Sequence, residues 1–370
     1  MRLLLIVLLS CVSPFAYAQA APANAGPAPI SAAETKIDAA FADFSARSIE
    51  MLSQSKSPRD RWTAAWMLLG DATRATAEAA RAAALRARAD LLFAQALKDG
   101  IDDPVLLSWA LLDPPVAPGA DAKTLATARL VILERMRKLE PDNAMVWVAA
   151  LPEFGKPGTV PEGMRLLAKA AGSKRFDTHF GDSLRTLIHA YDRVPPPTDW
   201  PETKGLEGWD GMQAQDLAAV MAVGVANAVS MPYLSEVNTW CQDAKAHPWL
   251  EECQKLAKLM TENSDALVVK SLGINLLGKL TEPTAVESKR IQSMRRDLAY
   301  VAEMGMQKVG PGQPISYRAW HDAWSVKSAT EISVGRALLK LQGLPENAPA
   351  SYVPAWDRAP PQAQGTENQQ

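Results

Sequence analysis

The chain is poor in the residues that mark metal, nucleophile and nucleic-acid sites. Only three of its 370 residues are cysteine and four are histidine. No two histidines stand four apart, which excludes the helical zinc motif that needs both on one face. Formal net charge is −2, too small to provide the basic field that recruits nucleic acid or an anionic membrane. The apolar run at the start, Leu3 to Leu9, falls far short of the roughly 20 residues of a membrane helix, so no transmembrane span is expected. No segment alternates strictly enough between turn signals to be a strand.

The chain has instead an alanine-rich, helix-forming body in which 48% of residues are hydrophobic, enough to bury a core. Arg2, the run Leu3–Leu9 and the small residues of Ala16-Tyr17-Ala18 have the form of a secretory signal over residues 1–18, followed by a Pro/Ala linker over 19–30. Leu8-Leu9-Ser10-Cys11 also resembles a bacterial lipobox, whose cysteine would be acylated. The exported remainder has the length of two domains or one extended solenoid. Outside the signal, Cys241 and Cys253 form an even pair, and in an oxidising compartment a disulfide is expected, contributing about 3 kcal/mol. Two thiols are an incomplete zinc site, and His247 between them stands before Pro248 in a turn.

Helix signals recur from end to end, and residues 31–195 read as a helical-repeat-like region. Ser31-Ala32-Ala33-Glu34, Thr159-Val160-Pro161-Glu162 and Thr284-Ala285-Val286-Glu287 are capping boxes. Ser57 precedes Pro58 as an N-cap followed by proline at the first helical position, and Gly100 ends a long Ala/Arg helix. Leu125, Ala128, Ile132 and Leu139 recur at helical spacing up to Pro141. Residues 196–211 have the composition of a linker. Residues 212–342 are again helical, with Trp249–Met260 forming half of a hairpin that the disulfide would clamp. The segment from Ser264 to Leu280 is apolar on more than one face, as the central, most buried helix would be, with Gly273 permitting a close contact. The tail, 343–370, is rich in Pro, Ala and Gln and is expected to be disordered.

Leu139-Glu140-Pro141-Asp142-Asn143-Ala144, with Trp147 six residues after Pro141, resembles the junction between two tetratricopeptide repeats. The pattern Asp103–Ala110 returns at Asp142–Ala149, 39 residues later. In that family the proline closes one helical hairpin and the tryptophan packs into the next. The resemblance implies stacked hairpins and a groove that binds other proteins. This chain departs from it after Trp147, where Leu151-Pro152 replaces the family's glycine, and the likeness covers at most residues 58–195.

Three other patterns invite chemistry. Phe180-Gly181-Asp182-Ser183-Leu184 resembles the nucleophile block of the GDSL esterases, but residues 172–179 are polar, no Asp-x-x-His base block follows, and Asp182 and Ser183 suit helix capping. Gly273 to Lys279 has the glycine and lysine spacing of a P-loop, but Leu280 stands where a hydroxyl is needed and no strand precedes. His179, His189, His247 and His321 are scattered and read as surface or capping residues. Of eleven tryptophans, Trp320 and Trp324 share a helix face with Tyr317, while Trp200 and Trp209 lie in the linker. These aromatics fit either a platform for a glycan or peptide or interhelical packing. Lys289, Arg290, Arg295 and Arg296 read as a solvated face.

The expectation is therefore an all-α chain: irregular tetratricopeptide-like hairpins followed by a disulfide-clamped helical bundle. No catalytic, cofactor or metal residue is assigned. The function expected is an exported, periplasmic or secreted, non-enzymatic scaffold for a protein or cell-envelope partner. The rivals are an envelope-polymer hydrolase whose carboxylates cannot be placed from sequence, and a lipid-anchored structural lipoprotein.

Overall fold

The computed structural model describes residues 32–358, apart from 76–77, 113, 117–118, 155–160, 205–210, 223–233, 243, 265, 283, 307–308 and 311–312. The signal, Cys11, Ser31, Thr159 and Trp209 lie outside the described residues. The fold is all-α. Among the described residues β structure is limited to isolated bridges such as Asn143 with Arg175 and Phe176 with Ser264.

In the first half, α1 (Ala32–Ser53) packs on α2 (Pro58–Arg74), and α2 lies along α3 (Ala79–Asp99). Ser57 caps α2 as its sequence requires, accepting from the Asp60 amide, with Pro58 at the first position. α4 (Pro104–Leu112) packs on α5 (Ala122–Leu139). Then α6 (Met145–Val148) makes one turn and packs on α7 (Pro161–Ala171), and α8 (Phe180–Asp192) completes the half. In the second half, α9 (Leu234–Cys241), α10 (Leu250–Glu262), α11 (Leu267–Leu280) and α12 (Ala285–Tyr300) follow in order. The Cys241–Cys253 disulfide ties α9 to the first turns of α10, with Cα atoms 5.5 Å apart. A π-helical turn (Val301–Met306) continues α12, and α13 (Tyr317–Trp324) and α14 (Glu331–Leu341) close the fold. The Thr284–Glu287 capping box is formed in full at α12.

Among the described residues one buried cluster runs from Phe44 to Leu338, on both sides of the stretch 196–211 that reads as a linker. Within that stretch Trp200 is half-buried and donates through Nε1 to the Met212 carbonyl at 2.9 Å, and Thr203 donates to the same oxygen at 2.9 Å. α11 is not the most buried helix: Leu272 and Leu277 are only half-covered, whereas in α4 Val105, Leu106, Leu107, Trp109, Ala110 and Leu111 are all buried. Nor is the start of the tail disordered. Residues 343–358 run across α12 and the π-turn, because Leu344, Ala348 and Tyr352 find an apolar partner surface around Tyr300, Val301 and Leu339.

Glycines admit large neighbours at two close contacts, one between the halves and one within the second. A Cβ at Gly163 of α7 would stand 2.4 Å from the Trp240 ring, and one at Gly273 of α11 would stand 2.8 Å from the Met260 Cβ. The close contact foreseen for Gly273 is thus made between α10 and α11.

Candidate functional site

The most concentrated polar chemistry lies where three connections run side by side. These are the α5–α6 junction at 140–144, the α7–α8 connection at 174–179, and the end of α10 at 263–264. The Ala144 amide donates to the Arg175 carbonyl at 2.8 Å, the Lys174 amide to the Asp142 carbonyl at 2.9 Å, and the Phe176 amide to the Asn263 carbonyl at 3.0 Å. Ladder-like bonds of this kind satisfy backbone groups that no helix end can satisfy.

Glu140 sits at the centre of this joint, buried with Asn143 and His179. Arg175 Nη2 donates to Glu140 Oε1 at 2.6 Å. On the other oxygen, Oε2, Asn143 Nδ2 donates at 3.2 Å and His179 Nε2 lies at 2.8 Å. A carboxylate only accepts, so that ring nitrogen carries the proton. Asn143 bridges further, donating to the Asp177 carbonyl at 2.9 Å and accepting the Asp177 amide at 3.0 Å. The His179 backbone has φ 60, the single non-glycine residue with positive φ among those described. This conformation costs about 1–2 kcal/mol and is imposed from both ends: its amide donates to Asp177 Oδ1 at 2.8 Å while its ring is held by Glu140. Burial pushes the Glu140 carboxyl up, but the His179 bond and charge, Asn143 and the Arg175 charge outweigh it and hold the carboxyl below its ordinary value.

One oxygen or nitrogen from each of Glu140, Asp177 and His179 can be chosen with all three within 4.8 Å, close enough for a metal ion. The donor set argues against that use. Arg175 supplies the positive charge on one Glu140 oxygen, two donors take the other, and one Asp177 oxygen is spent on the His179 amide. A metal would have to displace the guanidinium from one Glu140 oxygen, or the Asn143 and His179 donors from the other.

A second cluster lies on α13. His321 Nε2 is 2.8 Å from Asp192 Oδ2 at the end of α8, and Nδ1 is 3.1 Å from Asp322 Oδ1. Arg318 pairs with Asp322 at 3.1 Å. Nearby, burial raises the Asp216 pKa against its bond from the Gln213 amide and the Arg318 charge; burial and the Asp216 charge raise the Tyr317 pKa. α8 is therefore held at both ends by histidine–carboxylate contacts, His179 before its first residue and His321 at its last. Of the surface-or-capping reading, the surface alternative is corrected for these two, while His179 does stand in the cap position of α8. Both are buried, whereas His189 and His247 are exposed.

The esterase-like serine is not presented to a substrate. Ser183 is buried in the first turn of α8, where Trp109 Nε1 donates to its Oγ at 2.8 Å. Asp182 and Ser183 are not the cap either, because α8 begins at Phe180 with His179 in the cap position. The P-loop-like residues 273–280 are all helical, within α11. The aromatic platform is corrected at two of its residues: Trp320 and Trp324 are buried, at ring-centroid distances of 6.0 Å from each other and 5.8 Å for Trp324 from Phe180. Their faces are spent on interhelical packing. Tyr317 and Trp200 are half-buried.

Of the joint, Glu140 and Asn143 fall inside a motif legible in sequence, the repeat-like junction, while Arg175 and His179 do not. These two lie 35 and 39 residues from Glu140, beyond any local pattern. Comparison with protein-family models, curated proteins and solved structures finds no match to this chain.

Proposed function

We propose that this chain is an exported, non-enzymatic helical scaffold that presents a helical surface to a protein or cell-envelope partner. The observation that carries this reading is the outer face of α3. Ala80, Ala84, Ala87, Leu91 and Ala94 are all exposed there at alternating spacings of four and three, and Leu91 is 65% exposed. That is the stripe a second helix packs against. The reading is further supported by polar clusters whose donors and acceptors are spent on one another, and by successive helices packed pairwise, as stacked hairpins of the tetratricopeptide kind would be. Export is supported by the disulfide, which persists in oxidising compartments. No helix among the described residues is long and apolar enough to cross a membrane.

The test is in-cell photocrosslinking from a probe at Ala87, compared with the same probe in a Leu91→Glu chain. A discrete adduct in the envelope fraction that disappears with the charge supports the reading. An unchanged adduct pattern removes α3 as the docking face.

A further inference from the structure

The C-terminal strap is bound to the body as a ligand is bound. Residues 344–358 leave α14 through Gly343, whose φ of +69 turns the chain at the helix end, with the Leu344 amide donating to the Leu339 carbonyl at 3.0 Å. The strap then makes few, discrete contacts. The Ala348 amide donates to Asp297 Oδ1 at 3.2 Å and the Ala355 amide to Glu303 Oε1 at 2.9 Å. Arg358 Nη2 donates to Glu303 Oε2 at 2.7 Å. Tyr352 meets Tyr300 edge to face, ring centroids 5.0 Å apart.

We propose that the face formed by the end of α12, the π-turn and α14 is a peptide-binding site, with residues 344–358 as its resident ligand. Its ligand class is a proline-containing peptide that turns between Pro349 and Tyr352 and closes in one short helical turn, with a tyrosine followed six positions later by an arginine. Bound in cis, the strap plugs the site and keeps other peptides out. This surface is separate from the α3 stripe, and the proposal stands without that reading.

Four observations converge. The body supplies carboxylates to two of the strap's amides, Ala348 and Ala355, as charge-assisted bonds stronger than neutral ones. The apolar anchors Leu344, Ala348 and Tyr352 belong to a small cluster with Tyr300, Val301, Met304 and Leu339, apart from the main core, so the strap can depart without opening the molecule. Pro345, Pro349 and Pro354 restrict the unbound strap and lower the entropy lost on binding. Val353 and Trp356 are 48% and 54% exposed, so the strap covers the face without being enclosed by it.

The experiment uses the full-length chain and a fluorescent synthetic peptide of residues 344–358. A chain carrying Tyr352→Ala and Arg358→Glu has its own strap weakened and its site intact. It is expected to bind the peptide at least about tenfold more tightly than the unaltered chain, the combined size of the Tyr352–Tyr300 ring contact and the exposed Arg358–Glu303 bond that its own strap has lost. Adding Glu303→Lys to that chain should abolish capture of this peptide and restore capture of the Arg358→Glu peptide. No capture by the vacated chain, with helicity by circular dichroism unchanged, overturns the proposal, as does capture indifferent to Glu303. Arg358→Glu alone, at a half-exposed position outside the main core, gives the same comparison should the double variant not fold.

Discussion

Glu140 shows how a charge is kept inside an all-helical protein. Burying a carboxylate alone is costly, and removing one member of a buried pair typically costs about 3–5 kcal/mol because the other is left uncompensated. Here both oxygens are served, by Arg175 on one side and by Asn143 and His179 on the other. Glu140→Gln keeps the shape and loses the charge, and is expected to lower unfolding stability by about 2–3 kcal/mol in urea titration. His179→Gly relieves the positive φ but loses the ring bond, so it is expected to destabilise by less than His179→Ala, which loses the bond and keeps the strain.

The depressed Glu140 pKa also gives a pH signature. A carboxyl held below its unfolded value contributes stability that is fully present above the unfolded pKa, about 4.3 for Glu, and is lost as pH falls through the folded value. The stability difference between the unaltered chain and Glu140→Gln should therefore narrow as pH falls below about 4.3. A difference that widens below that pH would refute the assignment.

At the scale of helices and their contacts, small residues decide the approach. Gly163→Ala would drive a methyl into the Trp240 ring at 2.4 Å, and the expected loss is about 1–3 kcal/mol by thermal or urea unfolding. Gly273→Ala meets the Thr261 backbone nitrogen at 2.8 Å, which cannot rotate away as a side chain can, so it should cost at least as much. Gly70, with nothing within 4 Å of a Cβ, should be stabilised or unchanged by the same substitution.

Much at this scale is legible in sequence. Ser57-Pro58 and Thr284–Glu287 fix helix starts through local hydrogen bonds, and a cysteine pair flanking a Pro turn suffices to place the disulfide hairpin. The joint is not legible. Glu140, Arg175 and His179 carry no local periodicity, and only the folded backbone brings them together. The strap misleads for a related reason: three prolines and few apolar residues resemble disorder by composition, while one tyrosine and one arginine, each with a partner far away in sequence, anchor it.

Across the whole molecule, the same joint and the disulfide region bind the two halves. The Trp240 ring, adjacent to Cys241, packs on Gly163, and the α7–α8 connection is bonded to the end of α10. Replacing both Cys241 and Cys253 with serine should lower stability by about 3 kcal/mol, the loop-entropy value for so short a loop. The loss should be read in both halves at once, since one cluster spans them.

Native-state hydrogen exchange on Glu140→Gln against the unaltered chain tests the central claim most directly, that one charged joint and one core make the halves a single cooperative unit. The account predicts an equal loss of protection in α2, α8 and α10. Loss confined to residues 174–179, with α2 and α10 as protected as before, would contradict it.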